Sequence, residues 1–156
     1  MSVAPDMTTA TSVIIETRGG GGIVWGEPRS FVLEAVRSIS ATSRHREVEF
    51  VIVHHSMTPG ATLASLGELP DLDLTFVPVE DSVTPAAALN VGALHASGRV
   101  LVFCEEHTQA RSDEMLGHLI APLSEKAAMV GPKLVDPDGD VWHVADVVVR
   151  ATRRDG

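Results

Sequence analysis

The sequence is short of several residue types, and each shortage excludes a class of protein. Its single cysteine, Cys104, excludes an internal disulfide and fits a reducing cytoplasm. The absence of tyrosine removes any phenol acid or base. The net charge of −9 argues against nucleic-acid binding, which requires clustered Lys and Arg to neutralise phosphates.

Long hydrophobic runs are also missing. No apolar run approaches the roughly 20 residues of a membrane-spanning helix, and residues 1–10 lack the basic start and apolar run of a signal peptide. We therefore expect a cytoplasmic protein with no membrane span. The 156 residues suit one domain. We place it at 11–150, between a disordered tail at 1–10 and a polar tail at 151–156.

What the sequence does contain is an alternation of apolar runs and helical patterns. Four runs predict strands, at 12–15, 48–53, 74–77 and 100–103. Pro28 is expected to open the first helix, the pairs Thr58-Pro59 and Thr84-Pro85 to cap the next two, and Ser112 to cap a fourth. Because the apolar runs are continuous, they indicate strands covered on both faces, as in a parallel sheet.

The end of the chain follows a different pattern. Lys133–Val135, a turn at 136–139 and an apolar segment at 141–149 predict a hairpin, which would make the sheet mixed. The glycine run 19–22 lacks the spacing of a dinucleotide-binding loop and is interpreted as a flexible loop. We predict a three-layer α/β/α sandwich with a Rossmann-like, mostly parallel sheet and a C-terminal hairpin.

Metal-ligating residue types follow the predicted strands. Glu16 ends the first strand, His54 and His55 end the second, and Glu105-Glu106-His107 follows the fourth. In open α/β sheets ligands bind beyond the carboxyl ends of the strands, and these ends converge if strand one lies between strands two and four. Imidazole and carboxylate together suit manganese, iron or zinc. The alternative is that these are ordinary surface residues on loops.

The segment from Pro85 to Phe103, PAAALNVGALHASGRVLVF, carries a family resemblance. It resembles the inverting nucleotide-sugar glycosyltransferases of family 2, in which an alanine-rich helix with Asn-x-Gly precedes Ala-x-Gly and an apolar strand leading into an Asp-x-Asp loop. Segments 13–18, 51–58 and 130–134 are similar to other family motifs in the same order. The likeness covers residues 11–149 and implies a nucleotide-diphospho-sugar transferase-like fold.

The resemblance also implies site residues and a ligand. The ligand would be a nucleoside-diphosphate sugar, with manganese or magnesium as cofactor. The implied nucleotide-binding residues are Glu16, Arg18, His54, Asn90 and Glu105, and the implied metal ligands are Glu105 and His107. The motifs are degenerate. His54 stands where the family has an acid that binds the base, Glu16 replaces a proline, and Asp-x-Asp becomes Glu105-Glu106-His107.

Three functions remain open at this stage. The family's catalytic base and acceptor site lie well after the metal loop, near the point where this chain ends. The resemblance therefore implies a glycosyltransferase-like domain, nucleotide-sugar-binding by descent, that lacks a complete catalytic apparatus. Such a domain would keep the fold as a binding or assembly module, as a homodimer or with a partner chain, and as an assembly module it would no longer bind nucleotide. One alternative is an active metal-dependent transferase half completed by another segment or chain. Another is a repurposed, hydrolytic metal site of His54, Glu105 and His107.

Overall fold

The computed structural model describes residues 10–43, 47–124, 127–136 and 138–144, the last four by their backbone only. The described chain falls into two compact units, one ending at Met115 and the other beginning at Leu116. None of the helices described is long and apolar enough to cross a membrane.

The elements of the first unit alternate between strand and helix after an early hairpin. In chain order they are β1 (Thr11–Thr17), β2 (Gly21–Val24), β3 (Glu27–Ser30), α1 (Phe31–Ala41), β4 (Val48–His55), α2 (Gly60–Gly67), β5 (Asp73–Val79), α3 (Pro85–His95) and β6 (Val100–Glu105). Helix α4 (Met115–Ile120) begins at the boundary, and β7 (Lys133–Val135) and β8 (Val141–Val144) belong to the second unit.

Four strands of the first unit form one parallel sheet in the order β5-β4-β1-β6. The chain moves from β1 through β4 to β5 and then returns across the sheet to β6. Since such crossovers are right-handed, α1 and α2 lie on one face and α3 on the other. The prediction of a mostly parallel α/β sheet between helices is confirmed, and so is the position of β1 between β4 and β6.

The core lies on both faces of β1, because successive side chains of a strand point to opposite faces. Ile14 is fully buried toward α3, in a cluster completed by Val51, Val53, Val77 and Ala88. Its neighbours Val13 and Ile15 are fully buried on the opposite face. Helix α1 buries one stripe at helical spacing, consisting of Val32, Ala35, Val36 and Ile39.

Helix α3 packs unusually close to the sheet. Its predicted cap is confirmed, since the Thr84 side chain accepts a hydrogen bond from Ala87 N and Pro85 occupies the first turn. One turn after the buried Ala88 comes Gly92. A Cβ at Gly92 would lie 2.5 Å from Ile14 Cγ2 and 2.7 Å from Val53 Cγ2, so only glycine permits this approach.

The segment between β1 and α1 differs from the prediction. Gly21 and Gly22 belong to strand β2 of a hairpin, so the flexible-loop interpretation is wrong. The two-residue turn Trp25-Gly26 has φ of 51° and 83°, the left-handed values of a type I′ turn. Pro28 lies in β3, and α1 begins at Phe31. Proline is tolerated in such a two-stranded ribbon because a strand edge does not need its missing amide.

Two predicted caps are also wrong. Thr58 makes no cap bond to α2, because its hydroxyl donates to Thr17 O at 3.1 Å instead. The fourth helix begins at Met115 rather than directly after Ser112, and Glu114 just before it has φ of 65°. A tertiary hydrogen bond therefore takes the Thr58 hydroxyl away from its predicted cap, and a turn before Met115 moves the start of the fourth helix past Ser112.

The expectation that every strand is covered on both faces fails at β6. Among the described strands it lies at the edge of the sheet, with Leu101 39% and Phe103 51% exposed. The predicted C-terminal hairpin is confirmed as antiparallel β7–β8. It forms a separate sheet among the described strands, so the four-stranded sheet itself is parallel rather than mixed. Residues 145–149 of the predicted hairpin lie outside the described residues.

At the amino end of the sheet, Glu49 joins three segments of chain. It accepts hydrogen bonds from Ser12 Oγ at 2.6 Å and from Ser97 N and Oγ, both at 2.9 Å. Partial burial raises the pKa of this carboxyl, but hydrogen bonds from Ser12, Ser97 and Thr75 together outweigh burial and leave the pKa below its ordinary value of 4.5.

We predict that Gly92→Ala lowers the free energy of unfolding by about 1–2 kcal/mol. The overpacking cost of about 1–3 kcal/mol exceeds the helix-propensity gain of up to about 1 kcal/mol. The matched control is Gly67→Ala at the end of α2, where a Cβ meets nothing within 4 Å, and which should be neutral or stabilising. Urea denaturation measures both. Equal effects of the two substitutions would contradict the close approach of α3.

We also predict a pH dependence from Glu49. A carboxyl whose pKa is lower in the folded state stabilises the fold above its unfolded pKa, and this stability is lost as the pH falls through the folded pKa. Glu49→Gln should therefore reduce the loss of stability below about pH 4.5. The control Glu68→Gln, at an exposed acid that caps α2, should leave the acid limb unchanged. Thermal melts between pH 7 and pH 3 test this, and identical acid limbs for Glu49→Gln and wild type would refute it.

Candidate functional site

The candidate site lies at the carboxyl ends of β1, β4 and β6, which the sheet order brings side by side. The register pairs Glu16 with Glu105 across β1 and β6, and Thr17 with His54 across β1 and β4. Because side chains alternate along a strand, Glu16 and Glu105 belong to the face that α3 covers, and Thr17 and His54 to the opposite face.

Thr17 connects all three strand ends. Its hydroxyl donates a short hydrogen bond to the buried carboxylate of Glu106 and accepts one from Gly19 N at 2.9 Å. Its carbonyl oxygen accepts a hydrogen bond from Thr58 Oγ1, just beyond β4. One fully buried residue of β1 thereby fixes the loop after β6 and the loop after β4.

The inward direction of Glu106 determines what its two neighbours do. Glu106 is only 9% exposed, and Gly20 leaves room for it, since a Cβ there would lie 2.7 Å from Glu106 Oε1. Glu105 and His107 on either side are exposed. The His107 ring packs against Phe31 at the start of α1, with ring centroids 4.6 Å apart. The loop therefore presents one carboxylate and one imidazole to solvent.

A second buried contact joins β1 to β4 on the face of α3. His55 Nε2 lies 2.8 Å from Glu16 Oε1, and His55 Nδ1 lies 3.1 Å from Glu80 O. A carbonyl oxygen only accepts, so Nδ1 must carry a hydrogen to bond it. The other ring nitrogen, Nε2, faces the Glu16 carboxylate, so this contact holds the ends of β1 and β4 together.

Arg18 is the cation nearest this pair. Its Nε lies 3.7 Å from Glu16 Oε1, and its terminal nitrogens donate to Asp81 O and Val83 O, at 3.4 and 3.3 Å, in the loop before α3. The side chain is 43% exposed. Two of its partners are neutral carbonyls and the third is the Glu16 carboxylate, so Arg18 is partly paired and partly accessible to a ligand at this edge.

The remaining predicted site residues lie further apart. His54 is half-buried on the face opposite Glu16, with its ring edge-on to Phe76 at 6.4 Å between centroids. Asn90 lies on the exposed side of α3, and none of the contacts in the described chain joins it to the strand ends. The structure thus brings Glu16, Arg18 and Glu105 to one edge, and it does not bring Asn90 there.

Metal-binding capacity at this edge depends on two side chains. No group of three or more His, Cys, Asp or Glu within the described ranges is arranged to hold a metal ion. Glu105 and His107 still provide two exposed donors, a number that suits a cation whose other ligands are phosphate oxygens and water. An imidazole and a carboxylate fit manganese at least as well as magnesium.

The thiol of Cys104 has its pKa raised to about 11 by burial, which makes it inert as a nucleophile at neutral pH.

Sequence reasoning missed the residues that organise the site. The sequence patterns indicate no functional role for Thr17, predict Thr58 only as a helix cap, and place Glu106 among the ligand-type residues with Glu105 and His107. The alternation of side chains along β6, if continued past Glu105, carries part of the missing information, since it points Glu106 away from the face of Glu105. The partner of Glu106 could not be read from it.

Comparisons with known proteins identify a family from the sequence and a fold from solved structures. The family model "Glycosyl transferase family 2" matches residues 23–149. Among solved structures, residues 1–349 of TarS from S. aureus match with a TM-score of 0.54 and 20% identity, covering 72% of this chain and 31% of that one. The 4-diphosphocytidyl-2C-methyl-D-erythritol synthase from Anaerococcus prevotii matches with a TM-score of 0.55 and 17% identity, covering 85% of this chain and 62% of that one.

These likenesses differ in what they establish. At 17–20% identity the two solved structures establish the fold alone, and this chain spans about a third of the TarS segment. No curated protein matches the chain significantly. The family match covers most of the sequence and stands independently of the structural likeness.

We predict that Thr17→Val destabilises the first unit by about 2–3 kcal/mol. Valine keeps the shape of threonine but leaves the buried Glu106 carboxylate without its donor, and hydrogen bonds to charged groups contribute about 1.5–3 kcal/mol. Thr17→Ser keeps the hydroxyl and removes one methyl, so it should cost about 1 kcal/mol. Urea denaturation compares them. A Thr17→Val protein as stable as Thr17→Ser would show that the hydroxyl does not connect the strand ends.

Proposed function

Because the chain belongs to glycosyltransferase family 2, we propose that it binds a nucleoside-diphosphate sugar at the carboxyl ends of β1, β4 and β6. In this proposal the chain carries the donor-binding half of a transferase. The acceptor hydroxyl must lose a proton in an inverting transfer, and we assign no residue of the described chain to that step. Donor binding is therefore the activity proposed for this chain by itself.

One observation carries the proposal, namely the inward bond of Glu106 to Thr17. It leaves Glu105 and His107 exposed at the end of an edge strand, where the diphosphate of a donor has room. These two side chains would hold manganese or magnesium. A divalent cation bound there neutralises the diphosphate and stabilises it as the leaving group.

Other residues of the same edge would contact the donor directly. Arg18, oriented by two backbone carbonyls, is suited to a phosphate oxygen because its fork of N–H donors matches such an acceptor. Glu16 would orient Arg18 through their contact at 3.7 Å. His54, beside Phe76, would contact the base by stacking or hydrogen bonding. Asn90 stays a prediction of the resemblance alone.

The hydrolytic alternative gains no support from the geometry. It requires His54, Glu105 and His107 to share one metal ion. The register assigns His54 and Glu105 to opposite faces of the sheet, and the described residues contain no such three-ligand group. The arrangement of these side chains therefore favours donor binding over hydrolysis.

We predict that uridine or guanosine diphosphate stabilises the protein, and more strongly with manganese. Ligand at 100 times its dissociation constant adds about 2.7 kcal/mol, a shift in melting temperature of about 5–10 °C for a chain of this size. Glu105→Ala and His107→Ala should each abolish the manganese-dependent part of the shift. Arg18→Gln should weaken binding with and without metal. Thermal shift and calorimetric titration measure both parts.

The matched controls change exposed residues of the first unit away from this edge. Glu68→Ala follows α2, and His95→Ala lies at the C-terminal end of α3; both should keep the full manganese-dependent shift. Persistence of that shift in both Glu105→Ala and His107→Ala would refute the metal assignment. No shift with any nucleotide, against a cooperative melt of the wild-type protein, would refute donor binding itself.

A further inference from the structure

His55 is a fully buried polar side chain that donor binding, as proposed above, does not use. Both of its ring nitrogens face a polar atom of another segment. Nδ1 lies 3.1 Å from Glu80 O, after β5, and Nε2 lies 2.8 Å from Glu16 Oε1, near the end of β1. Because a buried polar group without a partner is costly, these two contacts fix the orientation of the ring.

The Glu16 carboxylate has two neighbours that compete for the same oxygen. Oε1 lies 2.8 Å from His55 Nε2 but 3.7 Å from Arg18 Nε. The first distance is within hydrogen-bond range, whereas a well-formed pair of arginine and carboxylate has about 2.7–2.9 Å between nitrogen and oxygen. Oε1 and Nε2 are both buried, and within the described chain neither makes any other hydrogen bond. Glu16 is therefore held by His55 more closely than by Arg18.

This arrangement leaves the pairing of Arg18 incomplete. Its terminal nitrogens donate only to the carbonyl oxygens of Asp81 and Val83, and its side chain is 43% exposed. A carboxylate that moved onto the guanidinium would occupy the same fork of N–H donors that suits a phosphate oxygen. Glu105, the partner of Glu16 in the register of β1 and β6, carries a charge of the same sign and so cannot hold Glu16 in its place.

We propose that His55 is a positioning residue for donor binding. It holds the Glu16 carboxylate away from Arg18 and thereby keeps the guanidinium available to a phosphate group of a nucleoside diphosphate. His55 does this from a buried position, without touching the donor. The inference rests on the donor-binding role proposed above for Arg18, and its first test requires no ligand.

A purely structural role for His55 would act through different contacts. The segment after β4 is joined to the segment after β5 by His55 Nδ1, by Ser56 Oγ, which donates to Val79 O at 3.2 Å, and by Met57 N, which donates to Asp81 Oδ1 at 2.9 Å. None of these three bonds involves Glu16. Variants that remove either the contact with Glu16 or a bond between the two segments therefore separate the two roles.

The first test follows Arg18 in the protein without ligand. His55→Asn keeps an N–H group for Glu80 O but is too short to reach Glu16, so we expect the carboxylate to move onto Arg18. The Nε–H signal of Arg18 in nuclear magnetic resonance spectra, assigned with Arg18→Gln, should then shift and exchange more slowly with water. His55→Gln, whose amide reaches Glu16, should keep the wild-type signal. An unchanged Arg18 signal in His55→Asn would overturn the proposal.

The second test measures the affinity for uridine and guanosine diphosphates by calorimetric titration without metal. His55→Asn should weaken binding about fivefold, the factor that corresponds to one exposed ion pair. His55→Gln and the control Ser56→Ala should bind as wild type does. In a Glu16→Gln background, His55→Asn should cause no further loss, because no carboxylate is left to pair with Arg18.

The outcomes distinguish this proposal from the one on which it rests. An equal loss from His55→Asn in both backgrounds, or an equal loss from Ser56→Ala, would show that His55 acts only as a structural link and would overturn its positioning role. Nucleotide binding that is insensitive to His55→Asn would overturn that role and leave donor binding intact. No binding by the wild-type protein would refute donor binding itself.

Discussion

The hydrogen bonds of Thr17 are the interaction on which the candidate site depends. The hydroxyl bonds a carboxylate from the loop after β6, and the carbonyl accepts from the loop after β4. A parallel sheet fixes where strands end but leaves the following loops free, since each loop leaves toward a different helix. Thr17 removes that freedom for both neighbours of β1 at once, and the bond to Glu106 turns Glu105 and His107 outward.

The sheet itself depends on close packing on both faces of β1. Gly92 lets α3 approach Ile14 and Val53 at distances that no other residue permits, and α1 buries a complete stripe on the opposite face. Coverage ends at β6, where Leu101 and Phe103 stay exposed.

Imidazole and carboxylate groups at this edge differ in their exposure. His55 and Glu16 meet between β4 and β1, with His55 Nε2 2.8 Å from Glu16 Oε1. His107 and Glu105, at the end of β6, are exposed to solvent. Burial therefore distinguishes the groups that join strands from those that are accessible to a ligand.

The sequence by itself determined the elements whose signals are local. Apolar runs located the four strands of the sheet, and Thr84-Pro85 predicted a cap that forms as expected. The ordered family motifs identified the fold. The β2–β3 hairpin escaped prediction because its turn uses Trp25 where asparagine or glycine is usual. Glycines at 21 and 22 also carry little strand signal.

Only the tertiary structure decided which polar groups meet. Thr58 satisfied a capping pattern, yet its hydroxyl bonds Thr17, forty-one residues away in sequence. Glu106 and His55 lie beside other candidate ligands in the sequence, but burial takes them out of the ligand set. Local patterns specify which groups need partners. The choice among competing partners is made by the packing of distant segments, because a buried polar group must be satisfied by whichever donor or acceptor the fold brings within reach.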